Sequence, residues 1–158
     1  MDIYNTVVRN LNDPMKAAAA EAELERIASS DQCTVNVMRI IACHSRNPEL
    51  LSSLLRKTDD GSTLYNLGRN AHSDPSTIDA VASNSSELGK LGVASNISAP
   101  IASLEKVAKS TKNTRTKELA LRNMDLQRAA SELERDCAAA RAGMGSYKRG
   151  NVTPIHGV

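Results

Sequence analysis

Val93-Ala94-Ser95-Asn96-Ile97-Ser98-Ala99-Pro100-Ile101-Ala102-Ser103-Leu104-Glu105-Lys106-Val107-Ala108 decides the fold class. An apolar residue followed by a small one, an Asn, a turn ending in Pro, and then Leu and Val three apart read as two short helices joined by a tight corner. The arrangement also stands 26 residues earlier, as Leu67-Gly68-Arg69-Asn70, Asp74-Pro75 and Ile78-x-x-Val81-Ala82. Extending that interval gives a first apolar row of Ile41, Leu67, Val93 and Leu119, each followed by a small residue (Ala42, Gly68, Ala94, Ala120). A second row runs Leu55, Val81, Val107, Leu133. A fixed period of this size marks stacked helical units that bury their apolar faces on one another.

Composition agrees with helices. The 158 residues suffice for one domain with a substantial core. They include three Tyr but no Phe or Trp, so the core is built from small aliphatic side chains, and strand-favouring residues are scarce. Twenty basic against eighteen acidic residues leave a net charge of +2, too little to imply a polyanionic partner by itself. Cys33, Cys43 and Cys137 form no CxxC pair and are odd in number, which points away from a disulfide framework or zinc knuckle and toward a reducing compartment. Met1-Asp2-Ile3-Tyr4-Asn5 opens without a basic segment leading into an apolar run, and no apolar stretch reaches the roughly 20 residues that span a bilayer. A soluble, cytoplasmic protein without a membrane partner is expected.

Asp13-Pro14, Asn47-Pro48 and Asp74-Pro75 pair a capping side chain with Pro at the first helical position, so each reads as a helix start. First helices are expected near 33–45, 62–71, 86–95 and 114–122, with partners near 48–57, 75–83, 99–109 and 124–142. Two earlier helices, near 2–11 and 14–29, leave the register and suit an N-terminal cap over 1–30. The array and its capping C-terminal helix occupy 31–142, and a flexible tail 143–158. Leu126, Ala130, Leu133, Cys137 and Ala140 form an apolar stripe of about two heptads. That is short of the roughly three or four that identify a coiled coil, so the stripe is read as the cap of the array.

These repeats resemble the leucine-rich repeat variant family and its HEAT-like α-solenoid relatives, whose unit reads approximately Val-Ala-x-Asn, a turn with Pro, then Leu-x-x-Leu-Ala. The units beginning at Val93 and Leu67 fit best. Ile41-Ala42-Cys43-His44 has His in place of Asn, and its second helix, Leu51-x-x-x-Leu55, puts Arg56 in place of Ala. Leu119-Ala120-Leu121-Arg122 lacks both Asn and Pro. The resemblance covers about residues 33–135 and implies an all-α fold. The implied architecture is a short right-handed α-solenoid of about four 26-residue helix pairs, with an N-terminal helical cap and a long C-terminal helix. It implies a binding role and supplies no catalytic residues. A family iron–sulphur module requires clustered cysteines, so no cofactor is expected.

Candidate chemistry is sparse. His44 and His72 fall near the ends of first helices with no carboxylate at helical spacing to orient them, and His156 lies in the tail, so structural or capping roles are expected. Cys43 follows the core pair Ile41-Ala42 and reads as a buried small hydrophobe. Gly143-x-Gly145 lacks the remaining residues of a phosphate loop. The most suggestive feature is a row at one repeat position, Lys57, Ser83, Lys109 and Arg135, thickened by Lys106, Lys112, Arg115 and Lys117. The expected function is a non-enzymatic scaffold that binds a protein or peptide along a second-helix groove, with Lys57, Lys106, Lys109 and Arg135 as partner contacts. The alternative is phosphate-backbone binding by that row, against which stand the interleaved Glu105, Glu118, Glu132 and Glu134 and the lack of stacking aromatics.

Overall fold

The computed structural model describes the backbone of residues 3–31 and 33–147 and the side chains of 7–31 and 33–142. Residues 1–124 form one compact unit and 125–158 a second. The described residues are helical and contain no strand: α1 (Ile3–Leu11), α2 (Ala17–Ala28), α3 (Val35–His44), α4 (Pro48–Leu55), α5 (Gly61–Arg69), α6 (Pro75–Ser83), α7 (Glu87–Ser95), α8 (Ile101–Ser110) and α9 (Thr114–Tyr147).

The helix starts follow from their caps. The Thr34 hydroxyl, the Asp60 carboxylate and the Ser86 hydroxyl stand 26 residues apart. They accept the backbone N–H of Val37, Thr63 and Gly89 at 3.5, 2.8 and 3.1 Å, starting α3, α5 and α7. Asn47 and Asp74 do the same for α4 and α6, each followed by Pro at the first helical position. Two other prolines behave differently. Pro100 is itself the N-cap of α8. Asp13-Pro14 forms a turn closed by the Met15 N–H on the Asp13 carboxylate (3.0 Å), so α2 starts later than expected, at Ala17.

Like packs on like within residues 1–124: α3 on α5 on α7, and α4 on α6 on α8. Ile41, Leu67 and Val93 are fully buried, as are Ala42 and Ala94. α5 and α7 make the most extensive helix contact because their backbones touch. A Cβ on Gly92 would run into the Tyr65 carbonyl, and one on Gly68 would sit 2.8 Å from the Val93 nitrogen.

The second row departs from the constant interval. Val81 and Val107 are fully buried, but in α4 the fully buried residues are Leu51 and Leu54, with Leu55 only half-buried. The spacing from Leu54 to Val81 is 27, as it is from Asn47 to Asp74. From the cap of a first helix to the cap of its partner is 13 residues for Thr34 to Asn47 but 14 for Asp60 to Asp74, which moves the second helices, and the return, 13 for Asn47 to Asp60 against 12 for Asp74 to Ser86, restores the first-helix register. The last interval lengthens too: Ala120, 27 after Val93, is fully buried, and Leu119 is half-buried.

The expected break between 122 and 124 does not occur. No Gly or Pro interrupts residues 114–142, and α9 continues through Gly143 and Gly145 to Tyr147. Residues from Lys148 of the expected tail lie outside the described ones. With no turn at 123, the partner helix expected near 124–142 is not a separate element among the described residues, and Leu133, expected in the second core row, is 65% exposed.

Candidate functional site

An Asn ladder holds the first helices in place. The Asn70 amide donates to the Ala42 and Ser45 carbonyls (3.0 and 2.9 Å), and the Asn96 amide donates to the Gly68 and Asn70 carbonyls (3.0 and 3.3 Å). Both amides thereby satisfy carbonyls left free where the preceding first helix ends. Asn123, 27 residues after Asn96, donates to the Ala94 carbonyl at 2.7 Å. The Asn missing from Leu119-Ala120-Leu121-Arg122 is thus present as Asn123, one position later than a fixed interval would place it.

Arg39 supplies a further tie, gripping Asp60 through two hydrogen bonds (2.9 and 2.7 Å). The Arg39 guanidinium holds the Asp60 carboxyl well below the usual carboxylate range, against a smaller opposing effect of desolvation.

The basic row occupies separate environments. The Lys57 ammonium donates to the Ala28 carbonyl at 3.0 Å and so caps the C-terminus of α2. Lys106 pairs with Asp79 at 2.6 Å, and Lys109, 80% exposed, lies 3.9 Å from Glu105. Arg135 belongs to the second unit and donates to the Ser131 carbonyl of its own helix at 3.3 Å. In the 27-residue register of the second helices, the position matching Ser83 is Arg56 rather than Lys57.

The face carried by the first helices was missed in the sequence. A depression of about 260 Å³ is lined by Ser62, Tyr65, Asn66, Leu88 and Leu91. A neighbouring one of about 480 Å³ shares Tyr65 and Leu91 and adds Ser95, Asn113, Arg115, Thr116 and Leu119. A third, about 230 Å³, shares Asn66 and includes Cys43 and Arg69. Leu88, 51% exposed, stands at the middle of this run. Arg69, Arg115, Lys117 and Arg122 are exposed, and among the described residues no acidic side chain pairs with them. The available signal was Ser62/Leu88 and Tyr65/Leu91 at the 26-residue interval, two apolar residues outside both core rows.

The chain matches none of the family models, curated proteins or solved structures with which it was compared.

The other chemistry-bearing residues are dispersed. His44 ends α3 and His72 lies in the turn after α5, both exposed. Cys43 is exposed rather than buried, because Ile41 and Ala42 take the two inward positions and turn the next residue outward. Cys33 is half-buried, and desolvation pushes its thiol pKa up, partly offset by the charge of Lys57. Among the described residues no three His, Cys, Asp or Glu side chains stand together as metal ligands, and no helix is long and apolar enough to cross a membrane.

Proposed function

We propose that this chain is a non-enzymatic binding module, an α-solenoid of short helix pairs, that holds a segment of a protein partner on its first-helix face. The observation that carries this reading is the continuous run of depressions sharing Asn66, Tyr65 and Leu91, with half-exposed Leu88 at its centre. A solvated apolar run bordered by polar residues is what a partner's side chain covers. The flanking Arg69 and Arg115, with no acidic partner of their own, favour a segment bearing Asp or Glu. The packing of like helices on like and the Asn70, Asn96, Asn123 ladder support the solenoid and the resemblance to leucine-rich repeat variants. The second-helix groove is the weaker candidate, since Lys57 and Lys106 have protein partners in place.

The test is a photo-crosslinking residue at position 88 in the source cell, with position 52 on α4 as control, followed by direct binding of the captured segment. Crosslinking is expected at 88 and not at 52. Leu88→Lys is expected to weaken binding at least tenfold, about 1.4 kcal/mol, as loss of an apolar anchor does. Capture at 52 alone would transfer the site to the second helices. Capture of nucleic acid, bound with an affinity that falls steeply between about 50 and 200 mM salt, would establish phosphate-backbone binding instead.

A further inference from the structure

The second unit carries an apolar stripe that is exposed among the described residues. Leu126 is 56% exposed, Leu133 65%, and Cys137 is exposed and free. With Leu126 and Leu133 at heptad position d, Ala140 also falls at d, and Ala130 and Cys137 at a. The stripe thus alternates at the three- and four-residue steps of a two-stranded seam, with Leu at d, which favours dimers, and small residues at a, which let two helices approach.

The flanking charges select an orientation. In this register, position e carries Gln127, Glu134 and Arg141, and position g carries Ala129 and Asp136. A parallel pair sets each g residue against the e residue five positions later on the other strand, so Asp136 meets Arg141 twice by symmetry, and Ala129 meets Glu134 without repulsion. An antiparallel pair opposes e to e and g to g, which leaves Asp136 facing Ala129 or Asp136 within residues 125–142. We propose that the distal part of α9, residues 125–142, is a self-association surface, covered by the same segment of a second copy of this chain in parallel register, with the two Cys137 side chains facing each other across the seam. Two heptads with Ala at two of the five core positions make this a weak, concentration-dependent dimer. The inference is independent of the first-helix face.

The experiment uses the full chain with Cys33→Ser and Cys43→Ser, leaving Cys137 as the one thiol. Sedimentation equilibrium is expected to show a monomer–dimer equilibrium across the micromolar to millimolar range, and a short bismaleimide is expected to join Cys137 to Cys137. Leu126→Lys with Leu133→Lys is expected to abolish both signals, while circular dichroism shows the helix retained, since both positions are exposed and Lys is a good helix former. Arg141→Asp is expected to weaken the dimer several-fold, and the exchanged pair Asp136→Arg with Arg141→Asp to restore it, which a merely collisional crosslink would not do. A monomer at all concentrations, or crosslinking unchanged by the two Lys substitutions, would overturn the proposal. So would joining of reporter cysteines at 126 and 140, the mark of an antiparallel pair, without joining at 137.

Discussion

A single buried amide decides how two turns of this chain meet. Asn96 is almost fully buried, and its side chain satisfies the carbonyls of Gly68 and Asn70, which end α5. Its own Oδ1 accepts the Ser98 N–H at 2.9 Å, turning the chain toward α8. Asn96→Ala removes the donor but leaves both carbonyls in place, so a cost of about 1–3 kcal/mol is expected, the price of stranded buried acceptors. Asn84→Ala, at the more exposed end of α6, serves as the control and is expected to cost less, because water replaces its turn bond to the Ser86 N–H. Equal shifts of the urea midpoint for the two variants would refute the bridging role. The core residues themselves were legible where they fell at a constant interval. Ile41, Leu67 and Val93 are buried because nothing changes the chain length between the first helices. Leu55 and Leu119 stand one residue from the fully buried positions, because the chain between successive helix starts takes an extra residue at little energetic cost while the helix that follows rotates its whole face.

Most helix starts, though neither that of α2 nor the one expected at 124, were legible for a different reason: a cap is a local interaction, fixed by residues two or three apart. The start of α6 makes this quantitative. Partial burial raises the affinity of the Asp74 carboxyl for a proton, but hydroxyl and backbone hydrogen bonds from Ser76 and Thr77 outweigh it and bring the pKa down to about 2 from an ordinary 3.8. A carboxyl depressed in the folded state contributes stability that is fully present above about pH 4 and lost as the pH falls toward 2. Asp74→Asn keeps a capping oxygen but removes the charge. It is expected to destabilise modestly at pH 7, by up to about 1 kcal/mol, and to lose less on acidification than the parent. Urea midpoints at pH 7 and pH 3 check this, and a parent whose stability does not fall between those values would contradict the assignment. The first-helix face was harder to read than the caps, since Ser62, Tyr65, Leu88 and Leu91 come together only once α5 and α7 touch at Gly92 and Gly68. Glu105, four residues before Lys109, was in view in the sequence, but the partner of Lys106 was not, for a basic row in sequence says nothing of which carboxylate lies 27 residues back, as Asp79 does.

At the scale of the molecule, the two units differ in what protects their backbone. In residues 1–124 the amides of α5 and α7 lie in helices whose inner faces are fully buried, so exposing them requires opening the core itself. Over residues 125–142 the hydrogen bonds are those of a single helix with exposed side chains, and such a segment frays at a free-energy cost far below that of global unfolding. Hydrogen exchange on dilute full-length protein is therefore expected to divide the chain. Amides of Leu67 and Val93 should exchange at least about a hundredfold more slowly than those of Leu133 and Cys137, a gap of roughly 2.7 kcal/mol. Raising the protein concentration should leave Leu67 and Val93 unchanged while slowing Leu133 and Cys137, because only the distal helix gains a cover when two copies meet. Equal protection of both regions in dilute solution would mean that the helix past Asp125 is stabilised within the monomer. Divided protection independent of concentration would leave unit 1 as described and remove the second copy from the account of its neighbour.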